Sequence, residues 1–200
     1  MEQFLVNKKM NEERKISLSE YGIYIVSIDT LNSFLKKNKV RSKKVLSVFQ
    51  ENHDLYLKSL EEGVWIPIVP IPSVEYIING DFHSDEWIEV IKYKNFNLEI
   101  MGKSYWVGSF GDLLKFNPKE YSDAATSNLT YKYIDLFRAV KFEMDNGKYL
   151  VDITGYKRKI SRNYPEANFG YSLSFRRIDG FIGYNDPRKD EIYTFDMSEL

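Results

Sequence analysis

Residues 87–110 read WIEVIKYKNFNLEIMGKSYWVGSF, and the fold turns on how this stretch is parsed. Phe96, Leu98 and Ile100 alternate with Asn97 and Glu99, the period-2 pattern of a half-buried strand. Ahead of them, Trp87, Ile91 and Tyr93 fall on one side and Ile88 and Val90 on the other. Apolar groups on both faces put this segment inside a sheet. Lys94-Asn95 offers a turn between the two segments. Met101-Gly102 offers a second, because glycine accepts the positive φ of short hairpin loops. Tyr105, Trp106, Val107 and Phe110 supply a third strand, with Gly108 and Gly111 marking a bulge or the strand's end. The expectation is three strands in a meander. Each aromatic ring buries roughly 150–250 Å², so the stretch reads as core, with an exposed platform for a ligand or bases as the alternative.

Working toward the N-terminus, "DFHSDE" at 81–86 is a polar connector and Asn79-Gly80 a strong turn pair closing a short apolar segment at 74–78. The "VWIPIVPIP" of 64–72 carries prolines at 67, 70 and 72, which cannot donate to a ladder, so it is an edge strand or an extended crossover. Before it, Val45, Leu46, Phe49, His53, Tyr56 and Leu60 recur at spacings of three and four. They predict a helix capped by Ser42 and stopped at Gly63. Leu31, Phe34 and Leu35 predict a shorter helix capped by Asp29 or Thr30, and the dense apolar run at 21–28 a first strand.

Toward the C-terminus, 121–130 is small and polar and reads as a loop, while 131–137 fits helix and strand equally. Val140, Phe142 and Met144 alternate into Asp145-Asn146-Gly147, and Tyr149, Val151 and Ile153 alternate away from it, which predicts a hairpin. Residues 157–168 read as a long basic loop. Tyr171, Leu173 and Phe175 form another strand, Asp179-Gly180 a turn, and 181–195 a return. Hairpin-length connections predict antiparallel pairing throughout. The expected architecture is a single α+β domain over 1–200. A helical part at 29–62 packs on one face of a large, meander-type antiparallel sheet formed by 63–200.

Composition fits this. Charged residues make up 28%, hydrophobic residues 43% and the net charge is −1, as in ordinary globular chains, while a 16% aromatic share leans toward strands. With no cysteine, disulfides, thiolate metal sites and cysteine nucleophiles are excluded. No apolar run is long enough for a signal peptide or a membrane span, so the expected setting is a bacterial cytoplasm.

Chemistry-bearing motifs are scarce. His53 falls on the apolar side of the predicted helix, and His83 lies near Asp81, Asp85 and Glu86 with no second histidine at ligand spacing. Neither "GxxxxGK[ST]" nor "GxSxG" occurs. No catalytic residue, cofactor or metal site is expected.

Charge is more telling. Lys36, Lys37, Lys39, Arg41, Lys43 and Lys44 cluster between the two helices, and Lys157, Arg158, Lys159 and Arg162 form a second group. Acidic groups gather at Asp81, Asp85, Glu86 and Glu89 and at Asp186, Asp190 and Glu191. Split charge on a tyrosine-rich surface suits a protein–protein interface. The leading expectation is therefore a non-catalytic protein-binding module, such as an inhibitor or an immunity protein that neutralises a toxin, with these acidic groups meeting the partner. The alternative is nucleic-acid binding through the basic clusters at 36–44 and 157–162.

Overall fold

The computed structural model describes residues 14–122, 125–131, 134–189 and 191–200, with the side chains of 123–135 left aside. The ten strands are β1 (Lys15–Ser17), β2 (Ile23–Val26), β3 (Trp65–Ile68), β4 (Glu75–Ile78), β5 (Trp87–Ile100), β6 (Ser104–Ser109), β7 (Ala125–Tyr131), β8 (Ile134–Glu143), β9 (Gly147–Arg158) and β10 (Phe169–Ile178). Three helices, α1 (Ile28–Lys37), α2 (Val45–Glu51) and α3 (His53–Glu61), lie between β2 and β3, and a 3₁₀ turn, η1 (Phe110–Lys115), follows β6.

The strands form one sheet in the order β3-β2-β6-β8-β1-β4-β10-β9-β5, with β7 added beside β8. It curls nearly into a barrel: near its two ends, the Glu99 N–H donates to the Gly63 carbonyl at 2.7 Å. The class is α+β with a large, mostly antiparallel sheet, as expected. Two pairings, β1 with β8 and β4 with β10, are parallel.

Local turn chemistry misreads the pairing. β5 and β6 are joined by a tight turn, as are β8 and β9, yet neither couple is hydrogen-bonded; β6 pairs with β2 and β8, and β9 with β10 and β5. The predicted hairpin at 145–147 is therefore a corner where the chain leaves one half of the curled sheet for the other. The two corners are tied together. Met144 N–H donates to the Lys103 carbonyl at 3.1 Å and Lys103 N–H to Asn146 Oδ1 at 2.7 Å.

The 87–100 stretch is one strand rather than two. Lys94-Asn95 forms a bulge, with Asn95 at φ 65° and its N–H donating to Asp152 Oδ1 at 3.0 Å. One extra residue reverses side-chain parity, so Ile91 and Tyr93 before it share a face with Phe96, Leu98 and Ile100 after it.

The curled sheet has two large cores, and a smaller cluster of Ile77, Phe82, Trp87 and Ala167. Alternate residues Ile23, Ile25, Ile66, Ile68, Tyr105, Val107, Val151 and Ile153 fill its interior. Their neighbours Tyr24, Val26, Trp65 and Trp106 face outward into a second core with Leu31, Phe34, Phe49, Tyr56 and Leu60 of the helices. The long predicted helix is broken at Asn52, whose Oδ1 accepts from the Leu55 N–H at 3.0 Å and starts α3. Asp29 and Thr30 do not cap α1. Ser27 holds that position, and its hydroxyl donates to the Met101 carbonyl at 2.7 Å.

Residues 125–131, read as loop, are a strand, and 134–143 resolves the helix-or-strand ambiguity as strand. No strand follows Ile178 among the described residues. The predicted return is an irregular segment that buries Phe195 and Met197 in the interior core. Tyr171 Oη donates to the Phe195 carbonyl at 2.8 Å, and Asn97 Nδ2 to that of Gly183 at 2.8 Å, so this segment caulks the seam beside β5.

Candidate functional site

The acidic candidates do not form one open face. Glu86 accepts from Arg158 Nη1 at 2.6 Å and from Arg162 Nη2 at 2.7 Å. The Arg158 hydrogen bond, with Arg162 adding to it, holds the Glu86 carboxyl below its usual range against the cost of desolvation. Asp186 is buried, accepting from Tyr56 Oη at 2.5 Å and from the Arg188 N–H at 3.0 Å. Asp81 accepts from the His83 N–H at 3.2 Å within its turn. Asp85, Glu89 and Glu191 are exposed, and Asp190 lies outside the described residues.

The second basic group is equally occupied. Arg158 is buried, lies 4.3 Å over the Trp87 ring and donates through Nε to the Ala167 carbonyl at 2.9 Å. It belongs to the fold rather than to a free surface. Lys157 reaches the Leu200 carbonyl at 2.8 Å, and Lys159 is exposed. Thus Glu86 and Arg158, from oppositely charged candidate sets, are partners of each other.

The 36–44 group is different. Lys36, Lys37, Lys39, Arg41, Lys43 and Lys44 are all exposed. Lys37 pairs with Glu62 at 3.0 Å; the other five make no ion pair among the described residues. Their backbone is well held. α1 ends in a Schellman motif: Val40 N–H donates to the Leu35 carbonyl at 2.9 Å and Lys39 N–H to that of Lys36 at 3.0 Å. Val40 packs in the core that holds Leu35, supplying the motif's usual apolar contact. The left-handed position belongs to Lys39, at φ 57°.

A polar network that periodicity did not reveal lies behind the helices. Tyr24 Oη is within 3.2 Å of Asp112 Oδ2, to which it donates, and 3.0 Å from Tyr121 Oη. Arg138 Nη1 meets Asp112 Oδ1 at 3.1 Å and Nη2 meets Glu120 at 3.7 Å, while Arg138 Nε is buried without a hydrogen-bond partner. Burial raises the Asp112 carboxyl above its ordinary value despite Arg138, and burial raises the Tyr24 and Tyr121 phenols as well. These residues are scattered over β2, η1, 121 and β8, so only the fold unites them. The network joins η1 to the outer face of the sheet.

A surface depression of about 150 Å³, lined by Thr30, Ser33, Phe34, Lys37, Glu62 and Glu99, is well short of the roughly 300 Å³ at which small-molecule pockets begin. Both histidines are exposed, so His53 is not on the apolar side of its helix; it opens α3 and stacks near the Tyr56 ring at 6.2 Å. Among the described residues no group of three His, Cys, Asp or Glu is arranged to hold a metal, and no helix is long and apolar enough to cross a membrane. Comparison with protein-family models, curated proteins and solved structures finds no match for the chain.

Proposed function

We propose that this chain is a non-catalytic module that binds another protein, as an inhibitor or immunity-type protein does. The observation that carries the reading is where polar groups are spent. Glu86 with Arg158, Asp186 with Tyr56, and Asp112 with Arg138 are engaged pairwise, while the interior of the sheet is filled by aliphatic and aromatic side chains. Chemistry on a small substrate needs a concave, water-excluding site with free acid, base or nucleophile. What this chain offers instead is an outer surface with unspent charge, the feature that governs partner choice and association rate between macromolecules.

The acidic surface expected to meet the partner contributes less than its residue count suggests, because Glu86 is ion-paired and Asp186 is buried. Exposed cations at 36–44, five of which make no ion pair among the described residues, support a second reading, nucleic-acid binding, whose affinity falls steeply between about 50 and 200 mM salt. Capture from the native lysate separates these readings. A stoichiometric protein partner that survives nuclease treatment supports the proposal; retention of nucleic acid alone, or turnover of a small substrate, overturns it.

A further inference from the structure

Resting on the protein-binding reading, we propose that residues 36–44 are the contact surface and that the partner presents a compact acidic face to them. Lys39 motivates this. It occupies the left-handed position of the Schellman motif that ends α1, where glycine sits without steric penalty and a side chain does not. Its ammonium is exposed and makes no ion pair among the described residues, so no such contact offsets the strained backbone. A residue that breaks a local rule with no structural return points to a role outside the fold.

The surrounding backbone is fixed in advance. Asn38 Nδ2 donates to the Phe34 carbonyl at 2.8 Å, and Lys58 Nζ to Asn38 Oδ1 at 2.8 Å. The Lys44 N–H donates to Ser42 Oγ at 3.1 Å, and the Phe116 N–H to the Lys43 carbonyl at 2.8 Å. The last bond brings exposed Lys115 of η1 up beside the loop. Cations on an ordered scaffold lose less freedom on binding than cations on a mobile one.

Size and surroundings select a protein over a polynucleotide. No aromatic residue lies in 36–44 to stack on bases. Exposed Glu51, Asp54 and Glu61 occupy the adjoining helices, and the chain carries a net charge of −1. A phosphate backbone running across the patch would continue onto those carboxylates, whereas a localised acidic face stays on the cations.

The test is fluorescence anisotropy with two labelled probes at about 50 mM salt: an oligoglutamate peptide of about twelve residues and a DNA duplex of about twelve base pairs. The full chain is compared with a K39S/R41S/K43S/K44S variant and with Lys39→Gly, each checked for cooperative melting. The expected result is that the peptide binds the native chain better than the duplex does. The fourfold variant should lose about tenfold or more in peptide affinity, and Lys39→Gly about two- to fivefold while melting no lower than the native chain. Tighter binding of the duplex, equal peptide affinity in the fourfold variant, or no binding of either probe overturns the proposal. Equal capture of a stoichiometric protein partner by native and fourfold-variant chains defeats this choice of surface alone; capture of no protein by either defeats the broader reading.

Discussion

The Val40 N–H reaches back to the Leu35 carbonyl at 2.9 Å, and that bond closes over a lysine, not a glycine, at φ 57°. The left-handed region costs a side-chain-bearing residue roughly 1–2 kcal/mol, and glycine pays part of that back in unfolded-chain entropy. Lys39→Gly is therefore expected to stabilise the chain by up to about 1 kcal/mol. For a domain of this size the melting temperature should rise by about 2–4 °C. Differential scanning calorimetry checks this, and a drop in melting temperature would show that the Lys39 side chain supports the fold.

Tyr56 Oη donates to the buried Asp186 carboxylate at 2.5 Å and Arg188 lies 4.5 Å over the Tyr56 ring, so α3 and the C-terminal segment are clasped together. Tyr56→Phe removes the donor and leaves that carboxylate short of a partner, which should cost about 1–3 kcal/mol. Urea denaturation measures the loss. Hydrogen exchange should locate it in 183–197 before the strands of the curled sheet open.

Asp112 makes a pH prediction whose sign is fixed by its environment. Burial raises its pKa above the unfolded value, so between those two values the folded state binds more protons than the unfolded state. Its contribution to stability therefore grows as pH falls through the folded pKa toward 3.8 and levels off below it. Asp112→Asn removes this titration. The stability difference between native chain and variant, from urea curves at a series of pH values, should shift in favour of the native chain as the solution is acidified. A shift the other way would mean that Arg138, at 3.1 Å, outweighs burial.

Gly155 on β9 leaves no room for a methyl group: a Cβ there would meet the Ile91 Cγ1 and Met197 Sδ atoms. Gly155→Ala should force apart β5 and the C-terminal segment and cost about 1–3 kcal/mol through overpacking. A variant as stable as the native chain would mean that Met197 moves aside freely and is no fixed part of the interior.

Strand positions were legible in the sequence where one face is buried. Phe96, Leu98 and Ile100, or Tyr149, Val151 and Ile153, alternate because the interior of the curled sheet demands it. Pairing was not legible. Asp145-Asn146-Gly147 has hairpin composition, but a turn motif encodes the local bend and not which strand lies alongside. The Lys94-Asn95 bulge was hidden for a related reason, since a bulge and a turn call on the same residue types. Tyr24, Asp112, Tyr121 and Arg138 carry no shared period and meet only in space. The basic run at 36–44 was plain from composition. That Lys39 occupies a position suited to glycine appears only once Val40 is seen bonded to Leu35.

Quantitative affinity capture, with the native chain and the K39S/R41S/K43S/K44S variant as paired baits in one native lysate, bears most directly on the account. One protein should be retained near equal stoichiometry by the native chain, be released as salt is raised, and be missing from the variant's eluate. Equal retention by both baits, or a native bait that holds only nucleic acid, would contradict it.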